Sequence, residues 1–384
     1  MASIPFLTKA EAIAHQRELI SGGLSGFVGT ISSGTHHADG DLLRVPQSIA
    51  EKEAIARLFA DTFRHVKPDG WVLEVQAAHH GVSEGSAPGR LVMPWTYTKQ
   101  ALRLFEQLIS KKQPDGRRVT SVVIGAGALM PLTAWFLSRG IEPSTFGVRA
   151  IGTTSFRLSP HWKALIEDAW GCVVRDNFSL SELPAPALEC DDCGFHHWLP
   201  PPVIAEVVDP FTKKPGDLGV LVVTTLAPYV TVMPLIRYWT GDLVQLGPRC
   251  AARKERGIHA LGRLDQAIVT KRDGLLVAPL DVSDFLEGRP EVARHPHPME
   301  TLGLIPPGDC GAVKFELTKG PKVRVELRFD PLVFGDQSHA LGTALADHLV
   351  KARPALRRFE ESGRGELEVE LLRPGSLTKE WVKF

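Results

Sequence analysis

The chain has 384 residues, 44 Lys and Arg balanced by 44 Asp and Glu, and no net charge. That balance argues against nucleic acid or an acidic membrane surface as partner, and no apolar run approaches the roughly 18–20 residues of a membrane span. Its five cysteines are odd in number, and Met1-Ala-Ser-Ile-Pro-Phe-Leu-Thr-Lys9 lacks the basic-then-apolar layout of a signal peptide, so reduced thiols or a metal site in a cytoplasmic protein are expected.

Ser48-x-x-Glu51 reads as a capping box opening a helix with Ile55, Leu58, Phe59, Thr62 and Phe63 on one face. Trp71–Ala77 follows as a strand and Thr98–Ser110 as a helix with Leu102, Phe105, Leu108 and Ile109 inward. Thr120–Ile124 predicts a buried strand, Pro131–Arg139 a short helix and Gly147–Ile151 another strand. Ser159-Pro160 places a cap before a proline at the first helical position, ahead of a helix to Trp170, and Cys172–Arg175 returns as a strand. Alternation of this kind implies βαβ units and a largely parallel sheet. Beyond residue 200 the pattern turns β-rich, with strands at Val203–Val208 and Val220–Thr224. Val313–Leu317 and Val323–Phe329 read as a hairpin across Lys319-Gly-Pro-Lys322, with a helix at Ser338–Lys351 and a strand at Glu366–Leu371. The expected fold is a large α/β N-terminal domain with mixed sheets, 1–262, joined by a hinge to a small α+β C-terminal domain, 263–384.

Several segments carry chemistry. Met233-Pro-Leu-Ile-Arg237-Tyr-Trp-Thr-Gly-Asp242 carries a guanidinium and a carboxylate, and Gly262-Arg263-Leu264-Asp265 follows; a surface ion pair capping a strand end is the simplest reading of Arg237 and Asp242. Gly29-Thr-Ile-Ser32-Ser33-Gly34-Thr35 is either a surface turn or a loop whose small residues let amides and hydroxyls approach phosphate. Phe178-Ser179-Leu-Ser-Glu182 supplies an aromatic and a carboxylate, the oxygen ligand a hard cation prefers. Gly125-Ala126-Gly127 lacks the third glycine of a dinucleotide fingerprint. Cys190-x-x-Cys193-x-x-His196-His197, with Cys250 later, has metal-ligand spacing. Cys190, Cys193, Cys250 and, of the two histidines, His196 would close a tetrahedral Zn²⁺ site with no open position, structural and not catalytic; unliganded buried thiols are the alternative.

Taken in order, these segments resemble phenylacetate–CoA ligases of the adenylate-forming superfamily, over essentially the whole chain from Ile4-Pro-Phe-Leu-Thr-Lys9 to Lys383. The resemblance implies ATP-dependent activation of a carboxylic acid, expected to be aromatic, as an acyl-adenylate with Mg²⁺, followed by transfer to CoA. It places Ser32, Ser33, Gly34 and Thr35 at the phosphates, Gly152, Thr153 and Thr154 in the adenine loop, and Phe178 with Ser179 beside adenine. Glu182 would hold Mg²⁺, Asp242 the ribose hydroxyls, and Arg237 and Arg263 would lie near the nucleotide. Lys383 matches the catalytic lysine that follows Arg373-Pro-Gly-Ser-Leu-Thr-Lys379, with Lys379 as competitor. The acid would lie near His79, His80, Gly125 and Ala126, and zinc would be a staple beside the nucleotide site. The chain departs from the pattern at His36-His-Ala-Asp-Gly40, where the family continues Thr-Gly-x-Pro with a nearby Lys, and at Ser179, where it has Gly. The segment family members carry ahead of the Pro-Phe-x-Thr-Lys stretch is not in this sequence, so a trimmed or divergent member, from a biosynthetic pathway, is expected. A carrier-protein thiol or an amine is the alternative acceptor, and a catalytically weak binding homologue the alternative to an enzyme. The family's common state is a homodimer, for which the sequence offers no interface.

Overall fold

Between residues 71 and 178 short aliphatic runs alternate with amphipathic stretches, and such strands bury both faces only in a parallel sheet flanked by helices. The computed structural model describes residues 4–21, 27–31, 43–62, 69–77, 89–198, 202–307, 310–318 and 320–377. Strands β1 (Phe27–Ile31) and β2 (Arg44–Ser48) pair antiparallel. Strands β3 (Trp71–Ala77), β4 (Arg90–Trp95), β5 (Val119–Gly125), β6 (Ala150–Thr154) and β7 (Val173–Phe178) lie in the order β4-β3-β5-β6-β7, every pair parallel. The sheet continues through β8 (Ala187–Glu189), β9 (His196–His197), β10 (Val203–Val208), β11 (Leu218–Thr225), β12 (Tyr238–Arg249) and β13 (Arg256–Arg263). Their spatial order is β7-β8-β9-β13-β12-β11-β10, giving eleven strands, with antiparallel pairing at β7–β8, β8–β9, β9–β13 and β10–β11.

The helix Lys99–Ser110 is capped by Thr98, whose hydroxyl accepts the Ala101 amide at 3.2 Å, and buries Leu102, Phe105 and Ile109. Phe105, Phe136, Phe146 and Trp170 pack with ring centroids 5.0–6.4 Å apart, and the Trp170 indole donates to Thr133 Oγ1 at 2.9 Å. Two expectations shift here. The helix expected from Pro131 begins at Ala126, because Gly125 at the end of β5 is itself the N-cap and Pro131 falls inside the helix. The strand expected from Gly147 begins at Ala150, since Pro143–Phe146 is a tight turn that Gly147 ends at φ +75°.

Ser48 and Glu51 form the expected capping box, with the Ser48 amide donating to Glu51 at 2.5 Å and the Glu51 amide to Ser48 Oγ at 3.1 Å. Of the expected helical face Ile55 is buried, while the side chains of Leu58, Phe59 and Thr62, and Phe63 as a whole, lie outside the described residues. The Glu51 carboxylate, 1 % exposed, also accepts the Thr231 amide, the Thr231 hydroxyl at 3.0 Å and the Val232 amide at 2.7 Å. Burial alone would raise this carboxyl, but those donors hold it below the ordinary range.

The chain divides into two compact units, the first of 1–158, 165–240 and 244–259, the second of 159–164, 241–243 and 260–384. The second contains the antiparallel pair β14 (Ile268–Thr270) and β15 (Gly274–Val277). It also contains a three-stranded sheet of β16 (Phe315–Thr318), β17 (Lys322–Glu326) and β18 (Glu368–Leu372). The first two of these strands form the expected hairpin, and β18 runs parallel to β17. The helix Asp336–Ala352 buries Leu341, Leu345 and Leu349 with Val323 and Val325 in one core, where each full side-chain burial contributes roughly 1.5–3 kcal/mol. The fold is therefore mixed α/β with a large sheet and a smaller one near the C-terminus. Among the described residues no helix is long and apolar enough to cross a membrane.

Candidate active site and metal centre

Parallel strands present their carboxyl ends on one edge, where ligands of open α/β sheets bind. Here β5, β6 and β7 end side by side, Gly125 opposite Thr154 and Thr153 opposite Asp176. Gly125 and the buried Ala126 form the junction of β5 with its helix. A Cβ on Gly152 would lie 3.2 Å from the side-chain nitrogen of Asn177, so a larger residue there would have to displace that amide. Thr153 is fully buried and donates to Asp176 Oδ1 at 2.9 Å, yet burial pushes the Asp176 carboxyl up to about 6. Thr154 ends β6, and Ser155 after it has φ +74°.

The segment after β7 carries the acidic residue the sequence singles out. Phe178 packs edge-on against Trp198 at 6.3 Å and tilted against His196 at 6.4 Å, with Ser179 next in the chain. Glu182, 8 % exposed, accepts the Tyr238 hydroxyl at 3.0 Å and lies 3.4 Å from the ammonium of Lys9. Lys9 is held there by its own strand of contacts. Leu7 pairs with the start of β12, the Leu7 amide donating to Arg237 O at 3.0 Å and the Trp239 amide to Leu7 O at 2.9 Å. Thr8 and Glu11 then form a capping box that opens the helix Lys9–Ala14. Neither Lys9 nor Tyr238 was singled out as a site residue from sequence, because nothing local in the chain shows that residue 9 meets residue 182.

Arg237 is 5 % exposed at φ +50°, and its guanidinium is committed. It donates to both Glu206 oxygens at 3.1 and 3.3 Å and to Ile4 O at 2.7 Å, with the Phe6 ring 4.2 Å away. The structure thus ties Arg237 to Glu206 and the N-terminal segment, and not to Asp242 as a surface pair. In the second unit Arg263 donates to Asp242 Oδ1 at 2.9 Å. Its guanidinium lies across Gly241, where φ is +80° and a Cβ would come within 2.9 Å of Nη2. Gly262, at φ +107°, would meet the ring of Pro279 in the same way. Ser32, Ser33, Gly34, Thr35, His36, His79, His80, Lys379 and Lys383 lie outside the described residues.

The cysteine cluster is a single pocket of ligands. Cys190, Cys193, Cys250 and His197 offer atoms all within 4.8 Å of one another; Cys190 Sγ is 3.9 Å from Cys250 Sγ and Cys193 Sγ 3.3 Å from His197 Nε2. The expectation of His196 is corrected to His197. Adjacent residues of β9 point to opposite faces; His196 turns away, its ring nitrogens 3.1 Å from Asp176 O and 3.3 Å from Ile258 O, and burial lowers its pKa. Two turns shape the cluster. The Gly194 amide donates to Cys190 O at 2.7 Å, and the Lys254 amide to Cys250 O at 2.8 Å. The other nitrogen of His197, Nδ1, faces Glu255 Oε1 at 3.4 Å, the carboxylate–histidine arrangement that orients a ligating imidazole. Three thiols and one imidazole, the whole group among the described residues, suit a closed tetrahedral Zn²⁺ site.

No family model matches the chain. A phenylacetate–coenzyme A ligase of Thermus thermophilus is 30% identical over 256 residues, 62% of this chain and 53% of that protein. One of Pseudomonas putida is 27% identical over 189 residues, 46% and 40% of the two. Over these stretches the chain is similar in sequence to phenylacetate–coenzyme A ligases. It spans about half the length of the curated relatives it matches. A crystal structure of 2-hydroxyisobutyryl-CoA ligase in an open conformation, with 2-HIB-AMP and CoA, superposes at a TM-score of 0.65 with 17% identity, covering 100% of this chain and 81% of that one. A benzoate CoA ligase from Burkholderia xenovorans LB400 gives 0.54 at 14% identity, over 88% and 64%. The chain thus shares the fold of these solved CoA ligases.

Proposed function

We propose that this homologue activates a carboxylic acid, aromatic by analogy with its relatives, with ATP to an acyl-adenylate and passes the acyl group to CoA. The observation that carries the reading is the buried Glu182, already counter-charged by Lys9 at 3.4 Å and hydrogen-bonded by Tyr238 on the strand that continues to Asp242. A buried carboxylate that holds a cation in place is chemically fit for Mg²⁺, which when bound neutralises polyphosphate charge. Lys9 then supplies positive charge beside that site, in a chain whose phosphate loop reads His36-His-Ala-Asp-Gly40 instead of carrying a lysine. Asp242 is assigned to the ribose hydroxyls, with Arg263 orienting it. The small residues Gly125 and Ala126, with His79 and His80, are assigned to the acid, and the ends of β6 and β7 to the adenine. The acid's carboxylate attacks the α-phosphorus, pyrophosphate leaves, and Lys383 neutralises charge in that step; positioning and preorganised charge do most of the work. The CoA thiol then attacks the acyl carbon and AMP leaves, after movement of the C-terminal domain about a hinge near Asp265.

Zinc on Cys190, Cys193, Cys250 and His197 is proposed as a staple holding β9 to the Cys250 turn. Three unpaired thiols grouped as ligands fit a reducing, cytoplasmic setting. The test of function is pyrophosphate release from Mg-ATP across a panel of aryl and short-chain acids, for the wild type, Lys383→Ala and Lys9→Met. Release dependent on one acid and lost in Lys383→Ala supports the reading. Binding of Mg-ATP without release for any acid would overturn it in favour of a binding homologue. Product analysis with CoA, hydroxylamine or a carrier protein as acceptor distinguishes the second half-reaction.

A further inference from the structure

The turn that carries most of the cysteine cluster is wired to the end of β7 by two side chains the proposed chemistry leaves unused. Strands β8 and β9 form a hairpin around residues 190–195, with Glu189 opposite His196 in its register. Each of that pair stands one residue ahead of a member of the cluster, Glu189 before Cys190 and His196 before His197. Both reach the same residue of β7. Glu189 Oε2 accepts the Asp176 amide at 2.9 Å, and His196 Nε2 lies 3.1 Å from Asp176 O. Nδ1 of the same ring is 3.3 Å from Ile258 O on β13, which His196 faces in register. The backbone amide and carbonyl of Asp176 are thus held by side chains of the hairpin, while its carboxylate is engaged separately by Thr153. The hairpin also backs the next aromatic, since Phe178 packs against the rings of His196 and Trp198. The ladder behind these contacts is short: β8 and β9 share two register pairs, Leu188 with His197 and Glu189 with His196. The ligand atoms of Cys190, Cys193, His197 and Cys250 lie within 4.8 Å of one another, so an ion held there braces this turn against the one after β12. Metal binding orders the segment that supplies its ligands.

We infer that Glu189 and His196 are positioning residues through which metal in the cysteine cluster sets the backbone of Asp176, and with it the segment 178–182 that carries Phe178 and Glu182. Every residue of this relay belongs to the first compact unit. The inference rests on the ligase reading proposed above, in which Phe178 meets adenine and Glu182 holds Mg²⁺.

The test uses the full chain, zinc-loaded and zinc-free under reducing conditions, as wild type, Glu189→Ala and Glu189→Gln. In the wild type, removing zinc should accelerate amide hydrogen exchange at Asp176 at least about tenfold, with exchange in the helix Lys99–Ser110 unchanged. It should also weaken Mg-ATP binding by calorimetry about tenfold, an ordinary size for coupling between two sites. Glu189→Ala should keep its zinc, show the fast exchange with or without it, and bind Mg-ATP as weakly as the zinc-free wild type. Glu189→Gln retains an acceptor oxygen for the Asp176 amide and should restore the zinc dependence of both readings. If the zinc-free wild type does not fold, the comparison of the three zinc-loaded proteins carries the test. Exchange at Asp176 that ignores zinc, or a chain that takes up no zinc, overturns the relay. Exchange that follows zinc while Mg-ATP affinity does not overturns the positioning role. A wild type that binds neither Mg-ATP nor an adenylate mimic means that the ligase reading has failed; the positioning role falls with it, while the exchange result still reports the relay itself.

Discussion

At the scale of single residues, the choice between His196 and His197 separates spacing from geometry. Cysteine spacing in the sequence picks out three of the four side chains that cluster, because a Cys-x-x-Cys turn and a later cysteine are local patterns. Which of two adjacent histidines joins them depends on the register of β9, a two-residue strand with no amphipathic pattern to read. His197→Ala should therefore reduce bound zinc from one equivalent to a small fraction, and His196→Ala should leave it. Metal analysis of dialysed protein decides this, and zinc retained by His197→Ala would sink the assignment. Glu255→Gln, which removes the carboxylate facing Nδ1, should weaken zinc by about 10–100-fold in competition with a chelator. Glu182 and Asp242 were legible as candidates for a different reason: each lies in a motif whose neighbours carry the resemblance. Lys9 was not, since a cation matters here only through a contact that folding creates 173 residues away.

At the scale of elements, β12 and β13 bring Asp242 and Arg263 into a hydrogen bond beside two glycines, Gly241 and Gly262, that both have positive φ. Gly241 needs positive φ and leaves the space Arg263 crosses, so Gly241→Ala meets both a backbone penalty of about 1–2 kcal/mol and a displaced guanidinium. The expected outcome is a measurable loss of stability together with weaker ATP binding by calorimetry. Stability lost with ATP affinity intact would remove Asp242 from the nucleotide site. Elsewhere the strands were legible nearly residue for residue where β-branched runs are flanked by turn residues, as at β3 and β10. Boundaries failed where a local rule met a tertiary one. Pro131 looked like a helix start because proline favours that position, yet the helix is dictated by where β5 stops. The roles expected of Ser32–Thr35 and of Lys379 or Lys383 rest mainly on the resemblance, and those residues fall outside the described ones.

At the scale of the whole molecule, pH acts on stability through buried carboxylates of opposite sign. In Glu51 and Glu326 burial would raise the carboxyl, but amide and ammonium donors outweigh it and hold both below the ordinary value of 4.5. Their contribution is complete above that value and is lost as pH falls through the lowered native one. Glu51→Gln should therefore cost roughly 1.5–3 kcal/mol in urea unfolding at pH 7 and progressively less below pH 4.5. A cost independent of pH would show that the carboxylate is not the ionised group.

Asp176 works the other way. Burial raises it from 3.8 to about 6, so the native state holds a proton that the unfolded chain releases, and stability falls as pH rises across that window. A rise of that size corresponds to about 3 kcal/mol at 1.36 kcal/mol per unit. Asp176→Asn keeps a carbonyl for the Thr153 hydroxyl and removes the ionisation. Relative to wild type it should be neutral or destabilised at pH 3.5 and should gain about 2–3 kcal/mol by pH 7. The comparison of the two profiles is what matters, since a constant offset between them would reflect packing or a lost hydrogen bond. A gain that appears on acidification would mean that Asp176 is ionised in the native protein and paired, with Arg157 the cation that already favours its charged form.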